Sequence, residues 1–141
     1  TVIESTPLVS IDLIVKNSAG KVLLGERLNR PAKGFWFVPG GRILKDESLV
    51  NAFKRLTKEE LGIEFVIDEA KLIGPFDHFY QDNVFGDGFS THYVAIGYSL
   101  QLTEDLLDLP TDIQHQCYQW LAVDALKKSD IVHENTKKYF R

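Results

Sequence analysis

Apolar and polar residues alternate along residues 7–17, "PLVSIDLIVKN", and this period of two predicts a strand with one buried face. The turn-forming "SAG" leads into "KVLLGERL", so the two runs read as a hairpin. A Pro/Gly loop, "NRPAKG", then precedes a short aromatic strand, "FWFVP". Beyond it the period lengthens. Leu49, Ala52, Phe53 and Leu56 recur at helical spacing and predict the buried stripe of a helix. Either Asp46 or Ser48 can cap its start, and Gly62 ends it. Gly40-Gly41-Arg42, just upstream, is expected to form a tight turn feeding that helix. Two more strands are expected in "KLIGPFDHFY" and "STHYVAIGYSLQL", separated by the turn-rich "QDNVFGDG". After Leu102 comes a loop with four acids, Glu104, Asp105, Asp108 and Asp112, and Pro110. The strand "QCYQWLA" then leads into helical "VDALKKS" and a terminal helix over "HENTKKYF". Strands first, one central helix, then strands and closing helices predict an α+β fold, a mixed sheet sandwiched between helices.

Composition narrows the partners. The chain has 141 residues, 44% of them hydrophobic and 11% aromatic, which suits one domain with a proper core over 1–141. A net charge of −4 argues against nucleic acid or an anionic membrane as partner, yet leaves room for a small anionic substrate met by local arginines and a divalent cation. Cys117 is the single cysteine, so a reducing, cytoplasmic setting is expected. No apolar run approaches the roughly 18 residues of a membrane span, and no signal-peptide pattern is expected at the start.

The chemistry concentrates in "GGRILKDESLVNAFKRLTKEELG". Glycines before a helix let backbone approach a phosphate closely. Glu59 and Glu60 are consecutive, about 100° apart around a helix, so at most one points along a given edge. Magnesium takes hard oxygen ligands and keeps several waters, so one or two carboxylates suffice. Glu59 has two readings, a metal ligand or a partner for Arg55 four residues earlier. Leu56 continues the apolar stripe and reads as a core residue.

This stretch resembles the Nudix box, G-x5-E-x7-R-E-U-x-E-E-x-G-U, where U is a bulky aliphatic residue. The chain supplies Gly41, Glu47, Arg55, Glu59, Glu60, Gly62 and Ile63 at the right spacing, and departs at Leu56 and Thr57. The Leu-Thr variant is similar to that of the GDP-mannose mannosyl hydrolase branch of the superfamily. The wider text, "STPLVSID", "NRPAKGFWFVPGGRILKDE", "DHFYQDN", "THYV", "QHQCYQWL" and "VHENTKKYF", is similar to that branch as well.

The resemblance implies the Nudix fold and one magnesium ion per subunit, held by Glu60, the Gly40 carbonyl and Gln114. It implies hydrolysis of GDP-mannose, or also GDP-glucose, to GDP and free sugar by water attack at the anomeric carbon with inversion. A base titrating near neutrality suits that task, and among His78, His92, His115 and His133 the resemblance implies His115. Taken alone, "IQH" in an acidic loop reads as an ordinary surface histidine. Arg27 and Arg42 match the diphosphate clamp, and Asp12, Tyr93 and His78 match positions near sugar and phosphate. Asp12 also interrupts an apolar strand, where an acid needs a partner. Glu47 and Arg55 read as a structural brace, and Phe35, Trp36 and Phe37 as core. A homodimer is implied. Two other readings stay open: a pyrophosphohydrolase releasing GMP and sugar 1-phosphate, and a Nudix-fold binding module without turnover.

Overall fold

The computed structural model describes residues 2–28, 32–81, 88–103 and 115–141, with the side chains of His115 and Gln116 outside that description. A short helix α1 (Val2–Ser5) precedes β1 (Leu8–Lys16) and β2 (Val22–Arg27). These two strands form the expected hairpin, and Asn17 Oδ1 organises its turn by accepting from the amides of Ala19 (3.0 Å) and Lys21 (2.9 Å). Next come β3 (Trp36–Phe37), β4 (Gly40–Arg42), α2 (Leu49–Leu61), β5 (Lys71–Tyr80) and β6 (Thr91–Gln101). β7 (His115–Leu121), α3 (Val123–Lys128) and α4 (Glu134–Lys137) complete the order, with 3-10 turns at Ile67–Glu69 and Lys138–Phe140. The acidic loop after Leu102 lies outside the described residues.

Among the described residues the strands form one mixed sheet in the order β3-β2-β1-β6-β5, with β4 on β1 and β7 on β2. β1 and β6 run parallel, and the other pairs are antiparallel. The period of two in β1 sends Ile11, Leu13 and Val15 to one face, where they pack with Ala52, Phe53, Leu56 and Leu61 of α2. Ile14 lies in a second cluster with Val22, Leu24, Val38, Leu126 and Val132, backed by Tyr139 and Phe140. A sheet between helical layers is what the element order predicted.

Three expectations are corrected. Gly40-Gly41-Arg42 is not a turn into the helix but strand β4, in register with Asp12, Ile11 and Ser10 of β1. The glycines serve close approach, because a Cβ on Gly40 would stand 2.2 Å from the Ile11 carbonyl oxygen. The turn comes later, at residues 44–47, where Asp46 takes a φ of 65° and the Glu47 amide donates to the Leu44 carbonyl at 3.1 Å. Ser48 is the N-cap, accepting from the Asn51 amide, and Gly62 closes the helix in the left-handed region at φ 79°.

Leu49, expected in the buried stripe, is 41% exposed. The stripe instead starts at Ala52 and continues through Thr57, Glu60 and Leu61. Thr57, at an aliphatic position of the box, is fully buried, and its hydroxyl accepts from the Phe65 amide (2.9 Å) while reaching the Lys54 carbonyl (3.0 Å). Its polarity is therefore satisfied locally. The terminal helix is α4 followed by a separate 3-10 turn rather than one continuous helix. Among the described residues no helix is long and apolar enough to cross a membrane.

Candidate active site

Strand β4 is the meeting point of the two sheet faces. On the α2 side, Arg55 Nε and Nη2 grip Glu47 Oε2 and Oε1 at 2.8 and 2.9 Å, a two-pronged ion pair. Arg55 Nη2 also donates to the Arg42 carbonyl at 2.9 Å, and the Leu44 amide donates to Glu47 Oε1 at 3.1 Å. These bonds pull Glu47 down to about 2, with the Arg55 hydrogen bond as the main cause, and push Arg55 up. The brace expected from the sequence ties β4 and its following turn to the helix.

Glu60 lies one turn further along, 4% exposed, and its Oε1 accepts from the Gly40 amide at 3.3 Å. Glu59, more exposed, pairs with Arg55 Nη1 at 3.2 Å, so the ion-pair reading of this residue is realised in the geometry. Leu56 is 3% exposed and sits directly beneath Gly41, where a Cβ would stand 2.5 Å from Leu56 Cδ2. An aliphatic side chain therefore fills the space under the strand.

On the opposite face Asp12 is the centre. Its Oδ2 accepts from the Tyr139 hydroxyl at 2.7 Å and lies 3.7 Å from His78 Nδ1. Its Oδ1 faces Gly40, whose missing Cβ would approach it to 2.8 Å. Burial raises Asp12 to about 6, against the lowering effects of the Tyr139 bond and the Arg27 charge. His78, brought beside it by β5, is lowered to about 4, first by burial and then by Lys138 and His133. Its Nε2 is buried without a hydrogen-bond partner among the described residues. Tyr93 is the register partner of His78 across β5 and β6 and places its ring 6.3 Å from that of Tyr80. Tyr80 is raised by burial and by the Asp12 charge.

Arg27, at the end of β2, lies over the Phe37 ring at 5.6 Å. It is the register partner of His115 at the start of β7. The other face of the aromatic layer is His133, stacked on Phe37 at 4.9 Å and edge-on to Phe35 at 5.2 Å. Phe37 is core as expected, whereas Phe35 is 40% exposed. Phe35, Phe79, Tyr80 and His133 help line an open pocket of about 580 Å³, within the usual range for small-molecule sites. Arg42 is exposed, and its backbone is held by Arg55 and by the pairing with Ser10 of β1.

The donors at β4 fit magnesium. Glu60 offers a carboxylate against the Gly40 backbone, a hard-oxygen donor that leaves coordination positions for further oxygens, water and phosphate. Among the described residues no cluster of three or more His, Cys, Asp or Glu side chains gathers. Gln114 lies outside the described residues, as does the His115 side chain.

The structure thus brings Gly40 against both Glu60 and Asp12, and His78 beside Asp12, while Glu59 turns to Arg55 and Tyr93 and Arg27 lie on β6 and β2, the strands flanking β1. Sequence reasoning missed Tyr139 and Asn135. Asn135 is buried, and its side-chain amide donates to the Phe79 carbonyl at 3.3 Å. Both residues lie in the C-terminal segment, and only the unpaired acid in β1 hinted that some distant donor had to exist.

Residues 6–141 match the model of the NUDIX domain. The chain is 41% identical over 114 residues to the low-salt glycan biosynthesis protein Agl8 of Haloferax volcanii, covering 81% of this chain and 70% of that protein. Among solved structures it is similar to a MutT protein from Methanosarcina mazei Go1, with TM-score 0.76, 23% identity, and coverage of 96% and 92% of the two chains. A MutT NUDIX hydrolase from Burkholderia pseudomallei gives TM-score 0.75 at 25% identity, covering 96% of each chain.

Proposed function

The chain belongs to the Nudix family of hydrolases, and from that premise we propose that it is a magnesium-dependent nucleotide-sugar hydrolase, converting GDP-mannose or a related GDP-hexose such as GDP-glucose to GDP and free sugar. The observation that carries this reading is Leu56, packed under Gly41 where another acid would assist attack on phosphorus. Support also comes from Agl8, whose name attaches it to glycan biosynthesis, a process that consumes activated sugars.

Water attacks the anomeric carbon while the bond from that carbon to the diphosphate oxygen breaks. The bond's electron pair leaves with GDP, the water proton passes to His115, and direct attack inverts the centre. The transition state is oxocarbenium-like, so the leaving group needs its charge balanced more than it needs a proton. Arg27 and Arg42 supply guanidiniums for that charge. Asp12, Tyr93 and His78 hold the sugar and its adjoining phosphate, and the aromatic pocket beside Tyr80 and His133 takes the base. When bound, magnesium supplies further charge neutralisation, and Glu60, the Gly40 carbonyl and Gln114 would hold it. Glu59 is a further candidate ligand, in competition with its pair to Arg55. The same reading takes the enzyme as a cytoplasmic homodimer acting on this small substrate.

Hydrolysis of a panel of nucleotide sugars in oxygen-18 water tests the proposal. Label in free hexose, with GDP released, is the expected result. Label in phosphate, with GMP and hexose 1-phosphate as products, would instead establish the pyrophosphohydrolase reading. Binding without turnover of any panel member would leave a recognition module.

A further inference from the structure

The C-terminal segment crosses the sheet face that holds Asp12, and its polar attachments there include the following three. Thr136 Oγ1 accepts from the Val38 amide at 3.3 Å, Asn135 donates to the Phe79 carbonyl, and Tyr139 donates to Asp12 Oδ2. The first two dock the segment on backbone. The third reaches a side chain in the site, 127 positions away in the chain.

Room for Tyr139 is built into the sheet. Asp12 and Gly97 are register partners in the parallel β1–β6 pair, so they stand side by side. The Tyr139 ring lies over Gly97, where a Cβ would come within 2.6 Å of its Cε1 and 3.1 Å of its Cδ1. Phe76 and His78 meet the same ring edge-on, at 4.6 and 5.6 Å. A ring so enclosed has little freedom, and its hydroxyl has a fixed direction. The carboxylate it meets is asymmetric. Oδ2 is occupied by the phenol and neighboured by His78, while Oδ1 faces the Gly40 edge. Without the phenol, rotation about the Cβ–Cγ bond would interchange the two oxygens.

We infer that Tyr139 is a positioning residue for sugar recognition: its phenol, seated over Gly97, fixes the Asp12 carboxylate so that one oxygen is committed to the protein and the other is presented toward β4. This rests on the reading of Asp12 as a sugar-binding group given above. It makes the last turn of the chain part of the substrate site, and it assigns Gly97 a role in specificity through the space it leaves.

Tyr139→Phe keeps the ring and removes the donor. Hydrogen bonds to a charged group contribute about 1.5–3 kcal/mol, so kcat/KM for GDP-mannose should fall roughly 10- to 100-fold. The loss should appear mainly in KM for the nucleotide sugar, while inhibition by GDP, which lacks the sugar, stays within about twofold. Gly97→Ala, which displaces the ring without touching the hydroxyl, should give the same selective pattern. On an Asp12→Asn background, Tyr139→Phe should add less than a twofold further change, because both act through one carboxylate. A Tyr139→Phe enzyme with wild-type KM, or one that loses GDP affinity in parallel, overturns the inference. If Asp12→Asn itself leaves every nucleotide sugar turned over normally, the failure lies in the assignment of Asp12 instead.

Discussion

Arg27 and His115 are register partners across β2 and β7, although 88 positions separate them in the chain. The pairing brings the first residue of β7 to the end of the strand that carries the proposed diphosphate arginine. His115→Gln is expected to lower kcat by about 10²–10⁴, the usual range for losing a general base, with magnesium dependence retained. Steady-state kinetics on GDP-mannose checks this, and a loss under threefold would assign the base elsewhere.

Leu56 lies under Gly41 in the α2 core, so a carboxylate there enters a space shaped for methyl groups. Leu56→Glu should cost about 1–3 kcal/mol or more in stability, the range for burying an unsatisfied polar group. It should not redirect cleavage to the phosphate bridge, because adding an acid does not move β4. Denaturant melts and product chromatography read the two halves separately. Appearance of GMP in the variant would show that the acid alone dictates the bond broken.

Glu47 and Arg55 form a half-buried pair with a structural purpose. The Glu47 carboxyl is held near 2 in the fold against 4.5 ordinarily, mainly by Arg55. A lowered carboxyl contributes stability that is present above 4.5 and is lost as the pH falls toward 2. Glu47→Gln should therefore lower the melting temperature at pH 7 and flatten its decline through that acid window. Thermal melts between pH 2 and 7 test this, and parallel curves for variant and parent would refute the brace.

Much of this architecture was legible because local patterns decide it. The period of two in β1, the part of the helical stripe at Ala52, Phe53 and Leu56, Ser48 as one of two candidate caps, the Gly62 stop and the Glu47–Arg55 spacing all operate within a few residues or one helix. What stayed hidden depends on distant chain segments. Gly40-Gly41 looks like a turn until β1 is known to lie against it, since glycine serves close approach and tight turns equally well. Likewise Asp12 revealed a need for a partner, but nothing around Tyr139 marks it as the donor. Leu49 has the right spacing for the core and yet lies at the helix start, before the part that meets the sheet.

Asp12 and His78 share one buried neighbourhood, and burial moves the carboxyl up and the imidazole down, which gives each a measurable signature. His78 sits at about 4 in the fold against 6.5 ordinarily, so its contribution is present above 6.5 and is lost as the pH falls through 4. Asp12 sits at about 6 against 3.8, so its contribution is present below 3.8 and is lost as the pH rises through 6. Between pH 4 and 6 the two slopes oppose each other, and the parent protein shows little net dependence from this pair. Each replacement should unmask the other residue. Asp12→Asn should lose stability on acidification from pH 6.5 to 4, by an amount on the order of 2 kcal/mol from His78. His78→Gln should instead gain stability over the same interval, relative to its own value at pH 6.5. Denaturant titrations in chelator-containing buffer measure both, keeping divalent cations away from the Gly40 edge beside Asp12. Slopes of the same sign in the two variants would mean that burial does not act on the carboxyl and the imidazole in the opposed way this geometry requires.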